Sequence, residues 1–374
     1  MIPLRFGVIG CGGIAQIMHL PHLHSHDDRF TIAALSDTHA PTLAAVASHY
    51  HIAAEDTYQN AEDLLARPDI EAVGIFHGGS HRDSVIAALK AGKHVFCEKP
   101  AGWNLREVTE MAEYARQSDR ILQMGYHKLY DPGFEYACEA VQNMRDLGFV
   151  RISVLHPADE AGWAQHRVRR GDGRIIEGMP EIGEFSQQVD AQRQGLAEGP
   201  LAAAVDEALG ERRHDPRLRL AYGLMIVSLI HQTYTLHGFL GLPQRVIHTD
   251  VWRDGLSIHV LAAYSDSLRV SLDWHWLGHL KDYKEEYAFF GNHDRVYFTL
   301  PSPYARNFPS PVTIQGHEGE LTWEKKVVVN HQEAFERELL AFYDNVRAGR
   351  QPFTNIETAV EHHRFIQQMI DAAR

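Results

Sequence analysis

Through the first third of the chain, short apolar runs of strand type alternate with stretches whose apolar residues recur every three to four positions. Leu4–Ile9, Thr31–Ser36, Glu71–Phe76, His94–Cys97 and Ile121–Gly125 read as buried strands. Between them, Ala61–Ala66 and Ser84–Ala91 read as helices, the second stopped by Gly92. Asn104 caps a further helix on which Leu105, Val108, Ala112 and Ala115 share a face. Strands that are apolar throughout and separated by helices predict a parallel, doubly wound sheet covered on both faces. This α/β domain is expected to span residues 1–127.

Beyond it the period shifts to two. Phe149–Leu155 reads as a strand, and Ser257–Tyr264 and Leu268–Trp276 alternate and join through Asp266-Ser267 as a hairpin. Tyr287–Gly291 and Arg295–Leu300 form a second pair around Asn292-His293-Asp294. Residues 128–374 are therefore expected to form an α+β domain on an open, largely antiparallel sheet. Phe335, Leu339, Phe342, Tyr343 and Val346 mark the buried stripe of a late helix, and residues 356–374 suit a last helix packing back on the first domain. Residues 157–219 form a long connection carrying Trp163, Arg167, Arg169, Arg170, a Gly171-Asp172-Gly173 turn and a helix over 201–209. A connection of that length suits a lid, a binding loop or a subunit arm; a solvated charged surface is the equal alternative for its arginines, and packing for Trp163.

Composition narrows the partners. The 374 residues are 44% hydrophobic, enough for two medium cores, and 36 basic against 49 acidic residues leave a net charge of −13, which disfavours nucleic acid and anionic membrane surfaces. The three cysteines, Cys11, Cys97 and Cys138, have neither metal nor disulfide spacing and read as reduced. With no secretory signal and no apolar stretch long enough to span a bilayer, a cytoplasmic protein is expected. No metal site is expected either: His19, His22, His24 and His26 have a 3-2-2 spacing that does not converge on one ion.

The first strand runs directly into Gly10-Cys11-Gly12-Gly13-Ile14-Ala15, a G-x-G-x-x-A turn that opens a helix. Gly10 makes the turn, Gly12 lets backbone approach a pyrophosphate, and Ala15 allows helix and strand to pack. The helix N-terminus offers unpaired N–H groups to phosphate. The second strand ends in Asp37, 22 residues past Ala15, where an acid meets the adenosine ribose. Asp37 repels a 2′-phosphate and no arginine or lysine follows in Thr38-His39-Ala40-Pro41, so NAD is favoured over NADP. A turn or capping role for Asp37 is compatible with this. Lys99 stands at the mouth of another strand, in Cys97-Glu98-Lys99-Pro100, where ligands of open α/β sheets lie.

Together with His19-Leu20-Pro21-His22-Leu23 and Gly125-Tyr126-His127-Lys128 before Asp131-Pro132, these segments resemble the glucose-fructose oxidoreductase and inositol dehydrogenase superfamily, closely over residues 4–136 and more loosely from about 220. The resemblance implies a Rossmann domain followed by an α/β domain whose sheet also joins subunits. It implies that Lys99, often followed by a cis proline bond, reaches the substrate hydroxyl and the nicotinamide ribose, and that His231 is the acid/base. Imidazole suits that role, with an ordinary pKa of about 6.5; a hydrogen-bonded core histidine is the other reading of His231. Cofactor candidates are Gly10, Gly12, Gly13, Ile14, Ala15, Asp37, His77, His81, Glu98 and Lys99, and substrate candidates are Tyr126, Lys128, Trp163, His231 and Tyr283. The family's aspartate one helical turn before the histidine falls on Val227. Asp282 is a possible substitute, and the substrate preference should differ from that of the inositol dehydrogenases. The expected activity is NAD-dependent hydride transfer to or from a sugar, cyclitol or glycoside hydroxyl in a homo-oligomer. Two alternatives stay open: a redox-assisted lyase or glycosidase, and a cofactor-binding protein without turnover.

Overall fold

The computed structural model describes residues 2–158, 165–171, 175–177 and 185–374. The chain gathers into two compact units. One comprises residues 1–126, 163–181 and 335–361, the other residues 127–162, 182–334 and 362–374.

The first unit is built on six parallel strands: β1 (Leu4–Ile9), β2 (Phe30–Ser36), β3 (Thr57–Tyr58), β4 (Ala72–Ile75), β5 (His94–Glu98) and β6 (Leu122–Gly125). They are ordered β3-β2-β1-β4-β5-β6, so the winding reverses between β1 and β4. Parallel pairing puts every carboxyl end on one edge of the sheet, the edge at which such folds bind ligands. Every residue of β4 and β6 is buried, as helices on both faces require. The late helix, Ala334–Ala348, buries Phe335, Leu339, Phe342 and Tyr343 of the expected stripe and leaves Val346 half-buried; Phe342 meets Phe6 and Phe96 edge-on at 6.1 and 5.7 Å. Part of the long connection also belongs here. Arg167–Arg169 pairs antiparallel with Ile175–Glu177, and the Gln16 side chain clasps it, donating to the Arg169 carbonyl at 3.0 Å and accepting its N–H at 2.8 Å.

The second unit carries eight strands in the order Arg245–Trp252, Ser257–Ala263, Arg269–Trp276, Phe149–His156, Lys284–Phe290, Arg295–Leu300, Val312–Glu318 and Leu321–Val327. Only the pairing of Phe149–His156 with Arg269–Trp276 is parallel. Both expected hairpins are present, but the strand expected from Tyr287 begins at Lys284. Two further helices, Pro216–Leu224 and Ile230–Leu240, join through a π-helical turn, Met225–Leu229.

Two glycines of the first turn have different physical roles. Gly10 holds φ at +92°, and a Cβ there would lie 2.4 Å from the His77 backbone nitrogen, so the fold itself requires glycine. A Cβ on Gly12 would meet nothing within 4 Å, which leaves room for a ligand. Gly10→Ala is therefore expected to cost about 2–4 kcal/mol in urea unfolding, from positive φ plus overlap. Gly12→Ala should stay within about 1 kcal/mol of the parent and weaken nucleotide binding instead.

Candidate functional site

In the first unit the candidate cofactor residues line the carboxyl edge of the sheet. Asp37 sits just past β2 and its carboxylate accepts the N–H groups of Cys11, inside the glycine turn, and His39, at 2.7 and 2.8 Å. The acid expected at the ribose is thus also the brace of the glycine turn, while the cap of the following helix is His39. Lys99 follows β5, two strands from β1, about 10 Å across the sheet at ordinary strand spacing. Its bond to Pro100 is cis, as the resemblance implied.

Two of the cofactor candidates, His81 and Glu98, are buried and bonded within the fold. His81 is buried, with Nδ1 2.6 Å from the Pro100 carbonyl and Nε2 2.7 Å from that of His77. Burial, and then the neighbouring His77, lower its pKa against the pull of both carbonyls, and the ring ties the loop after β4 to the Lys99 turn. His77 is half-buried and its Nε2 meets the Ser84 hydroxyl at 2.8 Å. Glu98 is buried, with Oε1 2.7 Å from His19 Nε2, while Oε2 accepts the Lys99 backbone N–H at 2.9 Å. Burial alone would raise its pKa; His19 and the Lys99 charge hold it below the ordinary carboxylate value.

Sequence reasoning missed Glu338, which lies in the same interior on the late helix. Its donor atom and those of His19 and Glu98 all fall within 4.8 Å of one another. Burial, and then the Glu98 charge, push its pKa well up. Two ionised carboxylates at that separation would repel by about 3–4 kcal/mol at an effective dielectric near 20. Tyr126 is fully buried, its phenol pushed up by burial and then by Cys97.

In the second unit the substrate candidates gather around a residue that sequence reasoning also missed, Glu285. Its carboxylate receives the Lys128 ammonium at 2.5 Å, the Gln232 amide at 2.8 Å and the Tyr287 hydroxyl at 2.7 Å, and the Tyr283 hydroxyl completes the set. Burial would raise Glu285, but Lys128 and these donors hold it low. Burial in turn lowers the Lys128 pKa, opposed by Glu285. Lys128 and Tyr283 are thus engaged with Glu285. His231, next to Gln232, is half-buried, and its Nδ1 lies 2.7 Å from the Tyr234 hydroxyl. Tyr234, one helical turn after the histidine, orients the ring where Val227 cannot. Asp282 is exposed and pairs with Lys284 at 3.4 Å. Trp163 lies outside the described residues.

The glycine turn, Asp37 and Lys99 lie on one edge of a doubly wound sheet, the arrangement expected of a dinucleotide-binding domain. Residues 4–126, about a third of the chain, match the model of the oxidoreductase family with the NAD-binding Rossmann fold. Over 141 residues it is 36% identical to a myo-inositol 2-dehydrogenase of Thermotoga maritima, covering 37% of this chain and 41% of that one. Over 178 residues it is 28% identical to a 1,5-anhydro-D-fructose reductase of Ensifer adhaerens, covering 46% and 52%. The alignments thus span only about half of these relatives or less. The fold extends further: a 3-ketoreductase of Actinomadura kijaniata, solved with NADP and TDP-benzene, matches with a TM-score of 0.72 over 100% of this chain and 98% of its own, at 16% identity.

Removing the cation from the Glu285 network should be costly. Lys128→Met leaves a buried carboxylate without its countercharge, an expected loss of about 3–5 kcal/mol in urea unfolding, largely recovered in Lys128→Met/Glu285→Gln. Because Glu285 is held below its ordinary 4.5, its contribution is complete above that pH and is lost as pH falls from there through the lower value of the folded state. The double variant should show a shallower acid limb.

Proposed function

We propose that the protein is an NAD-dependent oxidoreductase that moves a hydride between nicotinamide and a secondary hydroxyl of a sugar, cyclitol or glycoside. The observation that carries this reading is the shared edge of the first sheet: Gly12 leaves open space, Asp37 lies just past β2 against the glycine turn and Lys99 lies two strands away. The matched relatives act on polyol or sugar-type substrates, as their names state. Gly10, Gly12, Gly13, Ile14 and Ala15 hold the pyrophosphate through the turn and helix N-terminus, and Asp37 takes the ribose hydroxyls and disfavours a 2′-phosphate. When bound, the nicotinamide accepts or donates the hydride. Lys99 polarises the reacting hydroxyl, and His231, whose Nδ1 meets the Tyr234 hydroxyl, takes or returns the proton. The family's aspartate falls on Val227 here, so the substrate preference is expected to differ from that of the inositol dehydrogenases.

The three cysteines are free thiols and no helix among the described residues is long and apolar enough to cross a membrane; these features support a cytoplasmic location. The last strand of the second sheet, Leu321–Val327, is exposed along nearly its whole length, with Leu321 74% and Trp323 44% accessible, and it supports assembly of identical subunits through that sheet.

A panel of sugars, cyclitols and glycosides with NAD and NADP, followed by absorbance of the reduced cofactor, tests the proposal. NAD should outperform NADP. Lys99→Ala should lower kcat by about 10²–10⁴-fold while cofactor affinity stays within about tenfold. Retention of most activity in Lys99→Ala would sink the mechanism. Product release without net NADH would point to the redox-assisted lyase or glycosidase route, and cofactor binding without turnover to a sensor.

A further inference from the structure

His19, Glu98 and Glu338 come from three distant parts of the sequence and meet in the interior of the first unit. One donor atom from each lies within 4.8 Å of the other two, and none of the residues is more than 4% exposed. Both Glu338 carboxylate oxygens and His19 Nδ1 are buried without a hydrogen-bond partner among the described residues. Buried polar groups are almost always bonded, so a carboxylate with neither oxygen bonded calls for a ligand.

We propose that His19, Glu98 and Glu338 form a structural site for a divalent cation of the zinc type. One imidazole and two carboxylates are a donor set that Zn²⁺ accepts, and Glu338, with both oxygens unbonded among the described residues, supplies the fourth donor atom by binding through both. The ion's charge balances both carboxylates, which removes the repulsion between Glu98 and Glu338. The His19 ring stacks on Phe76 at 4.0 Å and meets Phe96 and Phe335 edge-on at 5.5 Å, so its plane is already set. His19 Nε2 and Glu98 Oε1, 2.7 Å apart, are closer than the roughly 3.3 Å between neighbouring donors of a tetrahedral zinc ion. The ion therefore replaces that hydrogen bond and draws Glu338 inward. Glu98 Oε2 keeps the Lys99 N–H, so the ion would stiffen the base of the lysine from inside the fold. The spacing of His19, His22, His24 and His26 conceals such a site, because two of its three ligands come from elsewhere in the chain.

The full chain, purified without a metal-affinity tag from cells grown with added zinc and then desalted, should hold about one zinc ion per chain by mass spectrometry of the metal. Unfolding in chelator and refolding should lower the melting temperature by several degrees, and Zn²⁺ should restore it. Glu338→Gln keeps the side-chain shape and should lose both the bound zinc and the response. Zinc-free parent protein whose melting temperature ignores Zn²⁺ after refolding overturns the proposal. So does a Glu338→Gln variant that melts higher than the parent, the result expected if Glu338 holds a proton instead. Should that variant fail to fold, the metal content and zinc response of the parent decide.

Discussion

The two oxygens of Glu98 connect the parts on which the first unit depends. One meets His19, the last residue of the π-helical turn Ala15–His19 that follows the glycine loop, and the other fixes the backbone N–H of Lys99. The helix that would receive the pyrophosphate and the lysine that would face the nicotinamide therefore share one buried carboxylate. Neither can shift without breaking a bond in a site where an unpaired charge is expensive. His81 reinforces this from the other side by bridging the carbonyls of His77 and Pro100. The edge that carries the candidate residues is thus positioned by an interior polar frame, with the apolar core of Phe6, Phe96 and Phe342 behind it.

Much of the architecture was legible because period and punctuation agree. Glycine, asparagine and the switch from apolar runs to alternation mark the strands and helices of both units, and Asn104 caps its helix as read, accepting the Glu107 N–H at 2.9 Å. The two-residue β3 was not, because so short a strand has no period. The sites were legible only where ligand chemistry is local. Gly10 to Ala15 form one turn, and Asp37 is one strand away. Glu285 was missed because the strand was taken to start at the first apolar residue, Tyr287, while two acids precede it. Glu338 left a fainter trace. It lies three residues after Phe335 and four before Phe342, on the face that the stripe itself identified as buried. An acid inside an apolar stripe signals a buried partner, which only the fold can name.

Val227 looked like a loss of catalytic support for His231. The structure answers with Tyr234, whose hydroxyl fixes Nδ1 from the following turn of the same helix. A phenol holds the imidazole in place nearly as well as a carboxylate does, but it brings no full negative charge to stabilise imidazolium. In the proposed reaction the histidine therefore moves the proton with less electrostatic help, and more of the polarisation of the hydroxyl falls to the Lys99 ammonium.

The two units solve the same physical problem differently. Each buries an acid beside its candidate chemistry, and a buried acid is stable only when donors outweigh its lost hydration. Glu285 meets that condition within the chain, through one ammonium, one amide and two phenols. The pair Glu98 and Glu338 does not: the donors reach only Glu98, and Glu338 adds a second acid in the same interior. A proton on Glu338 removes the repulsion but leaves its oxygens unbonded, whereas a cation removes both deficits at once. The asymmetry between these two buried acids is the reason to look for the ion in the nucleotide-binding unit and nowhere around Glu285.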